Sequence, residues 1–139
     1  MVRGTVIAGD CTPLSAALLD VWQADANGVY HYEKENDRLR GQLFTDKAGS
    51  FEFTTIVPGR YKQDGGYRPA HIHFTISHPG CEPVTTQLYF KGDPYLAPHD
   101  SCGDECKSAD AARIVELRKS DSGKDFIATF PVVLRRRST

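Results

Sequence analysis

The sequence of 139 residues predicts an all-β fold, a β-sandwich of mixed short strands with one short helix near residues 108–119. Three observations carry this expectation. Leu18, Asp20 and Trp22 alternate with Leu19, Val21 and Gln23, and Phe51 and Phe53 alternate with Glu52 and Thr54, which is the period of half-buried strands. Turn-forming clusters recur between short apolar runs along the first two-thirds of the chain. Only Ser108 to Lys119, rich in alanine, has a helical composition.

Taken in order, strands are expected over 2–8, 16–23, 41–45, 50–55, 70–78 and 84–91. The punctuation between them is Gly9-Asp10, Ala26-Asn27-Gly28, Asp46-Lys47-Ala48-Gly49, Pro58-Gly59, Gly65-Gly66 and Pro79-Gly80. Ser108 can cap a helix of about two to three turns, because its hydroxyl can accept from an unpaired N–H of the first turn. A strand pattern returns from Asp125 to Leu134, where Pro131 demands an edge or a bulge because it has no N–H to donate. Without a repeat, a low-complexity stretch or a linker, the reading is one domain spanning 1–139.

Seventeen basic and eighteen acidic residues leave a net charge of -1, so neither nucleic acid nor a membrane is expected as a partner. The basic run Arg135-Arg136-Arg137 reads as a flexible, solvated tail. No stretch is apolar and long enough to span a bilayer. Cys11, Cys81, Cys102 and Cys106 are even in number, which fits two disulfides of undetermined pairing and an oxidising compartment. A zinc site of Cys102, Cys106 and His99, or free buried thiols, are the alternatives. The small size and the even cysteine count make a secreted protein the expectation, with a cytoplasmic one less favoured, and since the first strand begins almost at Met1 a signal peptide is expected to lie outside the sequence.

Chemistry concentrates in Arg68-Pro69-Ala70-His71-Ile72-His73-Phe74. Side chains two apart on a strand share a face, about 6.6 Å apart at Cα, so His71 and His73 can aim at one ion. Tyr30 follows the turn Asn27-Gly28, and Tyr61 follows Pro58-Gly59-Arg60. Singly, each part has a plain structural reading: a surface His-x-His, two tyrosines packing on a sandwich edge, a solvated arginine. Together, two phenols and two imidazoles suit a hard trivalent ion, and iron(III) is the expected one. A phenol titrates near ~10 in isolation, and a trivalent ion would displace its proton. Two phenolates and a hydroxide then offset the ion's charge and leave an exchangeable position, as a catalytic metal requires.

The sequence resembles the intradiol ring-cleavage dioxygenases over about residues 2 to 100. The resemblance rests on Val2 to Val6, Pro13 to Asp25, Gly28-Val-Tyr30, Leu39-Arg-Gly41, Thr45-Asp46 with Gly49-Ser-Phe51, Ile56 to Tyr61, Arg68 to Phe74 and Thr85 to Phe90. It implies a non-haem iron(III) held by Tyr30, Tyr61, His71 and His73. It implies cleavage of catechol-type rings between the two hydroxyl-bearing carbons, with both atoms of O2 entering a cis,cis-muconate-type diacid. Tyr61 is assigned as the tyrosine that leaves the metal when substrate arrives, Arg68 as the charge beside the substrate ring, and Gln87 as a pocket residue.

The chain departs from the well-known bacterial catechol enzymes in lacking their N-terminal helical segment, and only nine residues separate Tyr61 from His71. The expectation is a shallow, open pocket, a monomer, and breadth toward substituted catechols and polyphenols. Two other readings compete. Gly4-x-Val6, Asp46-x-x-Gly49-x-Phe51 and Pro58-Gly59-x-Tyr61 also resemble non-enzymatic transthyretin-like β-sandwich binding modules, which do not need Tyr30, Arg68, His71 and His73 together. A His-x-His site for zinc, copper or manganese is the other, and two tyrosine ligands would be unusual for those ions. His31, His78 and His99 are read as surface residues.

Overall fold

The computed structural model describes residues 1–31 and 39–138. Two five-stranded sheets face each other. The first is built around β1 (Val2–Ala8), which runs antiparallel to β4 (Ser50–Phe53) on one side. On its other side β1 pairs in parallel, first with β11 (Phe126–Thr129) and then with β12 (Val132–Leu134). β10 (Arg118–Lys119) extends this sheet alongside β11. The second sheet has the order β3 (Arg40–Phe44), β2 (Leu18–Gln23), β7 (His71–Ser77), β8 (Val84–Phe90) and β9 (Ile114–Val115). A separate hairpin joins β5 (Tyr61–Gln63) to β6 (Gly66–Arg68).

The strands expected from the alternation form at nearly the expected bounds. Leu19, Val21, Ile72, Phe74, Ile76 and Leu88 of the second sheet are buried against Val2, Val6, Ala8 and Phe51 of the first. Phe74, 0% exposed, sits with its ring 5.2 Å from Phe130 and 6.0 Å from Phe53. Burying each such side chain contributes roughly 1.5–3 kcal/mol, so this interior fixes the register of β7 and β2. Pro131 splits the C-terminal strand pattern into β11 and β12, as its missing N–H requires.

Three expectations are corrected. Residues 108–119 form no helix of several turns: a single 3₁₀ turn, Ala111–Arg113, is capped by the Asp110 side chain accepting from the Ala112 N–H. The β-branched Ile114 and Val115 that follow pair in parallel with Tyr89 and Phe90. Adding a strand to a buried sheet edge thus prevails over local alanine propensity. The cysteines form one disulfide, Cys102–Cys106, while Cys81 is buried in the core and Cys11 is exposed, both as free thiols. That disulfide also removes the zinc alternative. The basic tail is held by backbone pairing, since Arg135 accepts from the Glu82 N–H and the Arg137 N–H donates to Gly80. No helix among the described residues is long and apolar enough to cross a membrane.

Candidate active site

Strand alternation divides β7 between two tasks. Ile72, Phe74 and Ile76 enter the core, and His71 and His73 project from the opposite face. Cross-strand register then selects their neighbours. His73 lies between Trp22 of β2 and Gln87 of β8, and His71 lies opposite Tyr89. The Trp22 and His73 rings stack at 5.0 Å and 2°, and the Arg40 guanidinium lies 5.1 Å from the Trp22 ring centre on a side chain bonded to Asp20. His73 is therefore held against an aromatic wall, as side chains directly opposite on adjacent strands commonly are.

The two tyrosines arrive on loops that pack backbone against backbone. The Asp25 carbonyl accepts the N–H of Gly28 at 3.0 Å and of Gly59 at 2.8 Å. The Asp25 carboxylate accepts from Asn27 and Val29 and bonds His31 at 2.9 Å. His31 is thus a half-buried partner of Asp25 rather than a plain surface residue. A Cβ on Gly59 would lie 2.5 Å from both the Ala26 oxygen and the Gly28 nitrogen. Gly59→Ala is therefore expected to part the loops, at about 1–3 kcal/mol of stability, and to weaken metal binding by displacing Tyr30 and Tyr61. Urea unfolding and a metal titration measure the two effects; an unchanged metal affinity would show that this packing does not place the tyrosines.

The four side chains converge on one point. Tyr30 Oη lies 2.8 Å from His73 Nε2 and 3.2 Å from His71 Nε2. Tyr61 Oη lies 3.3 Å from His71 Nε2, and the two Nε2 atoms are 3.1 Å apart. His71 Nδ1 donates to the Pro69 carbonyl at 2.7 Å, so the tautomer leaves the Nε2 lone pair bare. Burial pulls the pKa of His71 down to about 4, against the pull of the Pro69 bond and with the help of the Arg68 charge. Burial, with His71 and Arg68 beside it, takes His73 to about 3. Both imidazoles are neutral near pH 7 and available as ligands.

One lone pair cannot satisfy all the polar atoms crowded around His71 Nε2. A shared cation can. Donors about 2.1 Å from one ion and roughly 90–110° apart lie about 3.0–3.4 Å from each other, close to the separations observed. Among the described residues no group of three or more His, Cys, Asp and Glu side chains is arranged to hold a metal, so the tyrosines are essential to this donor set.

Arg68 closes the site. Its side chain is 3% exposed, and its Nη1 reaches to 3.3 Å from His71 Nε2. Its other nitrogens donate to Asp100 at 3.1 and 3.2 Å, to Gln87 Oε1 at 3.0 Å and to the Tyr89 hydroxyl at 3.1 Å. Burial alone would lower the Arg68 pKa, but the Asp100 hydrogen bonds and the neighbouring charges raise it above its ordinary value. Gln87 thus meets the site through Arg68. Burial raises the pKa of Tyr89 and keeps it a neutral phenol, unlike a metal-bound tyrosine.

All six residues singled out from the sequence, Tyr30, Tyr61, Arg68, His71, His73 and Gln87, are brought to this one place. Sequence reasoning missed Trp22, Tyr89, Asp100 and the turn-building Asp25. Tyr89 had a usable signal, because it stands two residues after Gln87 on the same strand face. Asp100 had none, lying in a loop whose course local pattern does not determine.

The family model described as Dioxygenase matches residues 1–136. The catechol 1,2-dioxygenase 2 of Acinetobacter lwoffii is 36% identical over 138 residues, covering 87% of this chain and 50% of that protein. The crystal structure of 3-chlorocatechol 1,2-dioxygenase from Rhodococcus opacus 1CP superposes with a TM-score of 0.86 at 30% identity, over 98% of this chain and 59% of that one. The dioxygenase domain of a carbohydrate-binding fusion protein from Streptomyces sp. SirexAA-E gives 0.79 at 37% identity, over 98% and 79% of the two chains. The chain spans about half the length of the curated relatives it matches. With the family model covering nearly its whole length, the chain belongs to the intradiol ring-cleavage dioxygenases.

Proposed function

We propose that this chain is an iron(III) dioxygenase that opens catechol-type rings between the two hydroxyl-bearing carbons, using O2 and giving cis,cis-muconate-type diacids. The observation that carries the reading is the convergence of two phenol oxygens and two imidazole nitrogens beside a buried arginine. A purely structural β-sandwich has no use for such a cluster. Tyr30, Tyr61, His71 and His73 are the residues that would hold the iron. Bound there, iron(III) would supply a Lewis acid for the two oxygens of a catecholate and make its ring susceptible to oxygen.

The protein's own residues supply the rest. A catechol must lose two protons on chelation. Tyr61, placed beside both His71 and Arg68, is the group proposed to yield its position and take one of them at Oη, while the hydroxide expected at the exchangeable position would take the other and leave as water. Proton uptake by the departing phenolate keeps the net charge of a poorly solvated site nearly constant. The Arg68 Nη1 points into the cluster and stabilises negative charge developing on the ring carbon. Gln87 holds Arg68 from the β8 side and completes the substrate wall.

The first test is a visible spectrum of the iron-loaded protein, before and after catechol is added without oxygen. A broad tyrosinate-to-iron band that moves to longer wavelength with catechol supports ligands and substrate class together. A protein that stays colourless after reconstitution overturns the reading. We further propose a monomer with breadth toward substituted catechols, read by steady-state rates on a graded series; strict preference for one small catechol overturns that breadth. The Cys102–Cys106 disulfide supports an extracellular location.

A further inference from the structure

Arg68 is a long side chain on a three-residue strand, and something must decide which of its nitrogens faces the metal donors. Asp100 does this by geometry. Its Oδ1 faces Arg68 Nε at 3.1 Å and its Oδ2 faces Nη2 at 3.2 Å, a fork-to-fork pair. That pairing occupies one edge of the guanidinium and leaves Nη1 as the corner directed at His71. Both side chains are sealed from solvent, at 3% and 0% exposure, so neither charge has water as an alternative partner.

Asp100 is itself held by a stapled loop. Its Oδ1 also accepts the Cys102 N–H at 2.9 Å, and the Ser101 N–H donates to Tyr67 of β6 at 3.1 Å. At the loop's far end, the Cys106 carbonyl is hydrogen-bonded to the Tyr89 hydroxyl, which in turn accepts from Arg68. The loop therefore touches two of the groups that hold Arg68. Its 3₁₀ turn, Gly103–Cys106, buries no residue, so no core side chain of its own anchors it. The Cys102–Cys106 disulfide spans that turn.

We propose that Asp100 is the positioning residue of Arg68, and that the Cys102–Cys106 staple keeps Asp100 and Tyr89 in register with it. The inference rests on the proposed role of Arg68 beside the substrate. No hydrogen bond joins Asp100 to Tyr61, His71 or His73, so its influence is expected to fall on catechol and to leave metal retention intact.

The test compares the iron-loaded wild type with D100N, the double variant C102S/C106S and R68A as reference. D100N keeps the shape and removes the charge. Metal content and the visible band are expected to match the wild type. The anaerobic catechol Kd is expected to rise, and kcat/KM to fall, by about 10–100-fold, as for other residues that orient a reacting group from behind. C102S/C106S is expected to shift both in the same direction by a smaller factor. Unchanged Kd and kcat/KM in D100N overturn the proposal, and so does loss of metal in step with activity, which would make Asp100 a general structural support. If D100N does not fold, the double variant decides on the same readouts, and an unchanged catechol Kd there overturns the proposal. A wild type that binds no iron or leaves catechol uncleaved overturns the functional reading itself. An active wild type with R68A impaired and D100N normal overturns this inference alone.

Discussion

Replacing His71 with alanine is expected to cost the protein its metal. His71 Nε2 lies within 3.3 Å of Tyr30 Oη, Tyr61 Oη, His73 Nε2 and Arg68 Nη1. Its other nitrogen is fixed on the Pro69 carbonyl, so the lone pair is already oriented. Removing an orienting partner of a ligand typically costs 10–100-fold in metal affinity; removing the ligand itself is expected to exceed about 100-fold. The fold should survive, because Ile72, Phe74 and Ile76 hold β7 from the other face. Metal analysis after reconstitution, beside a circular dichroism spectrum, reads the result. An H71A protein that keeps one iron per chain would remove His71 from the ligand set.

Arg68→Ala is expected to show the opposite separation, retaining iron and losing turnover. Removing one pre-oriented donor from a site where charge develops typically costs 10²–10³-fold in kcat, roughly 2.7–4 kcal/mol of transition-state stabilisation. Lysine is not expected to rescue, because a compact ammonium cannot make the two-point contact with Asp100 while also reaching the cluster. The substitution also leaves the Asp100 carboxylate buried without its counter-charge, an effect of about 3–5 kcal/mol in such pairs. Kinetics therefore belong well below the unfolding midpoint, which urea titration locates. A folded R68A enzyme with wild-type kcat would show that the guanidinium is a structural counter-charge for Asp100 with no part in turnover.

These two effects differ in how visible they are from the primary structure. The His71-x-His73 pair could be read directly, because residues two apart on a strand share a face whatever surrounds them. Phe51 with Phe53, and Leu19 with Val21, were legible for the same reason. The segment from Ser108 to Lys119 misled because alanine-rich composition reports local propensity, while the edge of β8 was open to pairing by Ile114 and Val115. The cysteine count misled because pairing needs proximity, and Cys81 is enclosed in the core while Cys11 sits on an exposed turn. Trp22 entered the site only through cross-strand register with His73, whereas Tyr89, opposite His71, could have been read from its i+2 spacing to Gln87.

The order of residues by itself determined the β-sandwich class, the strands β1 to β4, β7 and β8 with the C-terminal strand pattern, and the identity of the six side chains gathered at the site. Each of these follows from short-range periodicity, from turn chemistry or from a resemblance carried by contiguous motifs. The tertiary structure alone decided that Tyr30 and Tyr61 reach the two imidazoles, through the backbone contact of the Gly28 and Gly59 loops. It alone placed Asp100, 32 positions beyond Arg68 in the chain, at the guanidinium's edge. The reason is physical: a buried charge must find its partner wherever the fold supplies one, and the fold is set by the whole core.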